Sequence, residues 1–386
     1  MDADLVVIGG GPVGAALAMF LGRAGRRVTV LEKSGSFPRD KPCGEGLMPS
    51  GVGVLDRLGV DLIGAGFPPL RGVRYRLASG GSAGGTFRSG AGCGVRRTRL
   101  DQLLAERAAA TPGVELLLGC AATGLSADAA GARVETASGE LRARAVVGAD
   151  GLRSSVARWL GWARPPHGAA RYGLVGHLAY DGPRVEEIVV TLLGRVEVYS
   201  APTSGDELLV AVLGPRGALR RPGQSVLESY RGISAEAHPE LAGAAVTSAV
   251  HGAGPFRVGP ARVAQGRVFL AGDAAGFTDP LTGDGIAAGL VQAETLGRFL
   301  LPELEGSGAP ARAAARYRAW RTGQWRRRRL VSGLALGLSG SATLGRRALA
   351  GLGRRPGALQ SLLEVNDGSR GLHSLSPGDW AALAGF

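Results

Sequence analysis

The alternation of apolar and polar positions opens with an unbroken run, Asp4-Leu5-Val6-Val7-Ile8, which predicts a strand buried on both faces. A glycine-rich segment from Gly9 to Gly14 follows, then a helical stretch from Ala15 to Ala24, then a second apolar run, Arg27-Val28-Thr29-Val30-Leu31. Together they predict a βαβ unit. Leu100, Leu103, Leu104 and Ala108 recur at helical spacing and predict a helix opening at Thr98–Asp101, with Asp101 placed for a capping box. Val114 to Leu118, Arg133 to Thr136 and Ala145 to Val147 read as strands. Leu174 to Tyr180, Glu187 to Leu192, Val196 to Ala201 and Leu208 to Leu213 then read as consecutive antiparallel strands of a separate sheet. Gly72 to Arg88, split by a glycine turn, adds two more. A buried strand returns at Val268–Ala271, a helix follows from Gly285 to Leu301, and the chain after Pro310 reads as helical.

The nucleotide-type domain is therefore interrupted and resumed. Residues 1–71, 95–160 and 255–305 are assigned to it, 72–94 and 161–254 to a substrate-binding sheet domain, and 306–386 to a helical C-terminal region. The predicted class is α/β, a Rossmann-like domain with an interleaved antiparallel β-sheet domain.

Composition changes this picture in a few places. The 386 residues suffice for a large core, and Gly 65 shows no three-residue period, which excludes a collagen-like chain. The net charge of +13 raises nucleic acid as a partner, but the basic residues are scattered and no nucleic-acid motif is readable, so none is expected. The dense run Arg326-Arg327-Arg328-Arg329 beside Trp325, followed by Leu330 to Leu344, instead suggests an amphipathic segment in peripheral contact with an anionic membrane. Cys43, Cys93 and Cys120 are odd in number and lack CxxC spacing, which argues against a disulfide framework, and the five His show no ligand spacing, so no metal is expected. The chain opens on a strand rather than a signal peptide and holds no run long enough to span a bilayer, so a cytoplasmic location is expected.

The chemistry sits in three strand-to-helix turns. In Gly9-x-Gly11-x-x-Gly14 the glycines permit a tight turn, with Pro12 and Val13 inside it. The backbone can then approach a pyrophosphate at a helix N-terminus. Glu32, with Lys33 after it, ends the second strand, where a carboxylate can accept from ribose hydroxyls. Gly148-Ala149-Asp150-Gly151 forms the second turn. The third joins Gly272-Asp273 to Pro280-Leu281-Thr282-Gly283-Asp284-Gly285-Ile286, whose helix dipole favours negative charge on a reduced flavin.

These motifs, in this order, resemble the p-hydroxybenzoate hydroxylase-type flavoprotein superfamily, over the chain to about Leu301. Lys41-Pro42-Cys43-Gly44-Glu45-Gly46-Leu47 and the stretch from Gly272 to Ile286 are most similar to its geranylgeranyl-reductase branch. The resemblance implies bound FAD, NAD(P)H as a transient reductant, Arg97 at the phosphate–ribityl region and the Cys43–Gly46 segment near the isoalloxazine. Cys43 is the candidate catalytic residue, as a proton donor or a tuner of the ring. Trp159 and Trp162 read as a core staple, and His177 as a strand residue within reach of substrate.

Three chemistries share such a scaffold: hydroxylation, double-bond reduction and halogenation. The halogenase Trp-x-Trp-x-Ile-Pro stretch is absent; Val198-Tyr199-Ser200-Ala201-Pro202 stands where prenyl reductases carry Tyr-x-Trp-x-Phe, and Gly283-Asp284-Gly285-Ile286-Ala287 where hydroxylases carry Gly-Gln-Gly-x-Asn. Similarity to monooxygenases that tailor polyketides and phenolic lipids points to hydroxylation of a large apolar substrate in natural-product biosynthesis. Reduction of isoprenoid or other double bonds is the alternative, and a non-catalytic FAD-binding redox module a third.

Overall fold

The computed structural model describes residues 1–166, 168–306 and 309–386. Strand Ala3–Ile8 pairs in parallel with Val28–Glu32 on one side and Gly139–Gly148 on the other. Val114–Leu118 extends the sheet beyond Val28–Glu32, and Val268–Leu270 extends it beyond Gly139–Gly148, both in parallel. A chain segment more than a hundred residues downstream thus completes the sheet that the N-terminus begins. Strands buried on both faces need cover on both; helices supply it on one face, and on the other the antiparallel strands Ala122–Ala127 and Ala132–Thr136 pack against Val6, Ile8 and Val146 together with Val156, Ala157 and Trp162.

Among the described residues the α-helices are, in order, α1 (Pro12–Arg23), α2 (Pro49–Arg57), α3 (Arg97–Ala109), α4 (Ser155–Trp159), α5 (Val226–Ala237), α6 (Gly285–Leu300), α7 (Ala311–Ser339), α8 (Ala342–Arg354), α9 (Pro356–Asp367) and α10 (Pro377–Ala384). The first begins at Pro12 rather than at Ala15, because proline at the first helical position lacks only an N–H that would be unpaired there anyway. α3 begins at Arg97, and Asp101 makes no capping box. Its carboxylate is buried instead and taken by two arginines.

The second sheet runs in the order His251–Ala253, Tyr172–Ala179, Glu207–Gly214, Val196–Pro202, Glu187–Leu193, Gly72–Leu77, Ser82–Thr86. The expectation of consecutive antiparallel neighbours holds only in part. Tyr172–Ala179 pairs with Glu207–Gly214, and Glu187–Leu193 lies parallel to Gly72–Leu77. Alternation fixes which face a side chain takes, not which strand lies alongside, and a parallel neighbour needs a long crossover, here the whole stretch between residues 77 and 187. Gly92–Gly94, expected with this sheet, pairs instead with Gly46–Leu47 and Pro69–Leu70 in a small third sheet. Strands this short carry no readable period.

α8 and α9 pack on the strands Gly72–Leu77 and Ser82–Thr86, α10 packs on both helices, and α7 lies against α6. Consecutive residues on a helix point about 100° apart, so the arginine run does not form one basic face. Arg328 is buried, Arg327 half-buried, and Arg326 and Arg329 are exposed. Trp325 packs over Arg321, 4.8 Å from its guanidinium. Leu330 to Leu344 is divided between two helices: α7 runs on to Ser339 and α8 starts at Ala342. Among the described residues no helix is long and apolar enough to cross a membrane.

Candidate active site

The three glycine turns meet along one groove of about 460 Å³ between the parallel sheet and the antiparallel one. Gly9, Gly11, Pro12 and Val13 line it from the start of α1, Glu32 and Lys33 from the end of the second strand, and Arg97 from the start of α3. Asp150, Gly272 and Asp273 line it from the next two turns, and Pro280, Gly283, Gly285 and Ile286 from the turn into α6. Gly14 is not on this wall. A Cβ there would strike the Gly9 carbonyl, so its task is to let α1 sit tight on the loop. Gly9 has φ 112°, and a Cβ there would lie 2.5 Å from the Ala149 carbonyl oxygen.

Glu32 organises one end. Its Oε2 accepts from the Gly10 N–H at 2.9 Å and pairs with Arg39 at 2.8 Å, while Oε1 accepts from the Ser34 N–H at 2.9 Å. Burial opposes its ionisation, yet these donors outweigh burial and hold its carboxyl below the usual range. Arg39 also pairs with Asp101 at 3.1 Å, and Asp101 pairs with Arg97 at 2.8 Å. A buried chain, Glu32–Arg39–Asp101–Arg97, therefore ties three separate elements to the groove. Burial works most strongly against the Arg97 charge too, but Asp101 and Cys43 together outweigh it and push its pKa up. Sequence reasoning found Glu32 and Arg97 but missed the role of Arg39 and misread that of Asp101. Their spacing in the chain matches no motif.

The Cys43–Gly46 loop forms the middle of the wall. Burial pushes the Cys43 thiol up, against the pull of Arg97. Glu45, at φ 54°, turns its side chain inward, where Oε1 accepts from the Arg97 N–H at 2.7 Å and Oε2 meets His177 Nε2 at 2.7 Å. His177 Nδ1 in turn meets Ser248 Oγ at 2.8 Å. His177 thus anchors the loop from behind and is not on the groove wall. Tyr199 packs over Gly44, and its hydroxyl occupies the space a Cβ on Gly46 would need. That hydroxyl is buried and has no hydrogen-bond partner within the protein. Trp162 is buried as expected, but Trp159 lies partly exposed on the groove, as does half-buried Cys120. Cys93 is buried in the small sheet, and burial raises its thiol to about 12.

The donor set suits FAD. Orphan N–H groups at the starts of α1 and α6, with Arg97 nearby, fit a pyrophosphate and an electron-rich ring. Asp150 uses Oδ2 on the N–H groups of Ser155 and Val156, leaving Oδ1 buried without a partner, an acceptor for a ligand hydroxyl. Burial raises the Asp273 carboxyl, with Arg328 and Arg97 opposing. Among the described residues no cluster of His, Cys, Asp and Glu could hold a metal, and His167 lies outside them.

A second cavity, about 130 Å³, lies between the antiparallel sheet and α7–α10. Val190, Leu192, Leu334, Ala335, Leu338, Leu349, Leu363 and Leu383 are among its lining, which includes no charged side chain. Tyr199 belongs to both cavities.

Comparison with known proteins agrees with this geometry. The family model for the FAD binding domain matches residues 2–324. Menaquinone reductase of Mycobacterium tuberculosis is 33% identical over 312 residues, covering 75% of this chain and 74% of that protein. Rifampicin monooxygenase of Streptomyces venezuelae is 31% identical over 323 residues, covering 78% of this chain and 65% of the other. In fold, the chain is similar to a flavoprotein/dehydrogenase from Cytophaga hutchinsonii, at a TM-score of 0.83 and 20% identity over 95% of this chain and 93% of that one.

Proposed function

The chain belongs to the FAD binding domain family of FAD-dependent oxidoreductases, and from that premise we propose that it is an NAD(P)H-dependent monooxygenase of a large, mostly apolar substrate, such as a polyketide or phenolic lipid of natural-product biosynthesis. The observation that carries the apolar substrate is the uncharged cavity meeting the cofactor groove at Tyr199, and similarity to rifampicin monooxygenase favours hydroxylation. FAD held by the turn at Gly9–Gly14, Glu32 and Asp150 would supply two-electron chemistry between NAD(P)H and dioxygen. The protein's own groups do the rest. Tyr199 stands where the two cavities meet, so a polar head group would sit beside its ring and beside Cys43, whose thiol stays protonated. The cavity beyond it holds a hydrocarbon tail and excludes water, so that the head group is fixed by burial of the tail.

A second reading is saturation of an isoprenoid double bond. The uncharged lining favours it, and relatives named menaquinone reductase and digeranylgeranylglycerophospholipid reductase support it. One experiment separates the two. Purified holoprotein is given NAD(P)H, a long-chain phenol or a polyprenyl quinone, and ¹⁸O₂, and the products are weighed by mass spectrometry. One labelled oxygen atom supports the first reading. A gain of two hydrogens that persists without oxygen and survives reoxidation of any quinol to the quinone supports the second and overturns the first.

A long-tailed phenolic lipid or polyprenyl quinone would partition into membranes. Arg326, Arg329, Arg346 and Arg347 are exposed, as are Leu330 and Leu344. Peripheral docking on anionic lipid through these groups belongs to the same proposal, and flotation with anionic vesicles that is insensitive to salt and to alanine at the arginines would count against it.

A further inference from the structure

One buried charge pair lies behind the groove, between the acid of the third glycine turn and an arginine of the C-terminal helices. Asp284 precedes α6, and its neighbours Gly283, Gly285 and Ile286 form groove wall. Its own carboxylate turns away from the groove and is only 4% exposed. Oδ1 accepts from Thr282 Oγ1 at 2.9 Å and from Arg328 Nη2 at 3.0 Å, and Oδ2 lies 2.9 Å from Arg328 Nε. Arg328 comes from the middle of α7, is 6% exposed, and stands just beyond residue 324, where the family match ends. The other charged groups that act on this cluster are Arg321, Arg327, Asp273 and Asp367.

A carboxylate at this place works against the helix start. The first N–H groups of α6 and its macrodipole amount to about half a positive charge. A bare carboxylate one residue behind the wall would cancel that charge, in a setting where burial leaves little screening. Arg328 neutralises Asp284 and leaves the turn electropositive. We propose that Arg328 is a positioning residue through which the C-terminal helices set the reduction potential of the bound flavin. It acts on Asp284 rather than on the cofactor, and the anionic reduced ring is the state that gains. The proposal rests on the FAD reading of the groove.

The test is the midpoint potential of protein-bound FAD, read against a reference dye in wild type, Arg328→Gln, Asp284→Asn and the double variant. Arg328→Gln at pH 8.5 should lower the reduced-to-oxidised ratio about tenfold, which is about 30 mV for a two-electron couple. Asp284→Asn leaves Arg328 unopposed and should raise the potential. The double variant should return to within about threefold of wild type. Both single variants moving the same way, or all values within twofold of wild type, overturns the proposal. Should Arg328→Gln fail to fold, Asp284→Asn decides: a rise supports it, and no rise ends it. Failure of the FAD reading looks different, since even the wild type would then carry no flavin.

Discussion

Ala335 lies on α7 and lines the apolar cavity, between Leu334 and Leu338 in the sequence. Replacing it by phenylalanine, Ala335→Phe, fills space that a hydrocarbon tail would take and adds no charge. The cavity measures about 130 Å³, so the ring has room without forcing the helices apart. A phenyl ring displaces about four methylene groups of substrate, each worth about 0.8 kcal/mol when buried. The loss is about 3 kcal/mol, or about 200-fold in kcat/KM for a long-tailed substrate. A short-tailed analogue that reaches only to Tyr199 should keep its kcat/KM within about threefold. The assay is NAD(P)H oxidation coupled to product formation, with the two substrates run side by side on FAD-replete protein. Equal losses on both substrates would mean that the introduced ring disturbs the fold or the flavin. No loss on the long one would mean the tail lies elsewhere. The second result refutes the assignment of this cavity to substrate.

Glu32→Ala should weaken FAD binding about ten- to hundredfold, the value of a charge-assisted hydrogen bond of about 1.5–3 kcal/mol, with turnover at saturating FAD little changed; flavin fluorescence titration measures it. Because the folded carboxyl of Glu32 is held below its ordinary 4.5, its stabilising effect is present above that value and is lost as pH falls through the lower folded one, so wild type and Glu32→Ala should converge in urea stability on acidification. Cys43→Ser should retain FAD yet alter flavin reduction or product yield, and the wild-type thiol, raised by burial, should alkylate more slowly at neutral pH than an exposed cysteine; rapid alkylation would show that the loop leaves it open. His177→Ala strips Glu45 of its buried partner and should cost about 1.5–3 kcal/mol in chemical denaturation, together with broader flavin absorbance bands as the Cys43–Gly46 loop loosens; an unchanged unfolding midpoint would argue that Glu45 is held by the Arg97 N–H alone.

How far the sequence reached follows from the range over which each feature is encoded. The βαβ unit, the turns at Gly9–Gly14 and Gly272–Ile286, and the acid at Glu32 were legible because a strand, a glycine turn and a helix start are set by neighbours within about thirty residues. The FAD groove follows from those turns, since the parallel sheet brings the ends of its strands together. Apolar spacing also marked the C-terminal region as helical, but it says only that one face of each helix is buried. What that face meets is a matter of tertiary packing. The apolar cavity draws side chains from Met48 to Leu383, and no local period links them. The same holds for the charge contacts. Arg39 finds Asp101, His177 finds Glu45 and Arg328 finds Asp284 across sequence gaps of 62, 132 and 44 residues. In the sequence these are solvated-looking charges and a basic run. Only folding withdraws them from water, and a charge withdrawn from water must find a partner.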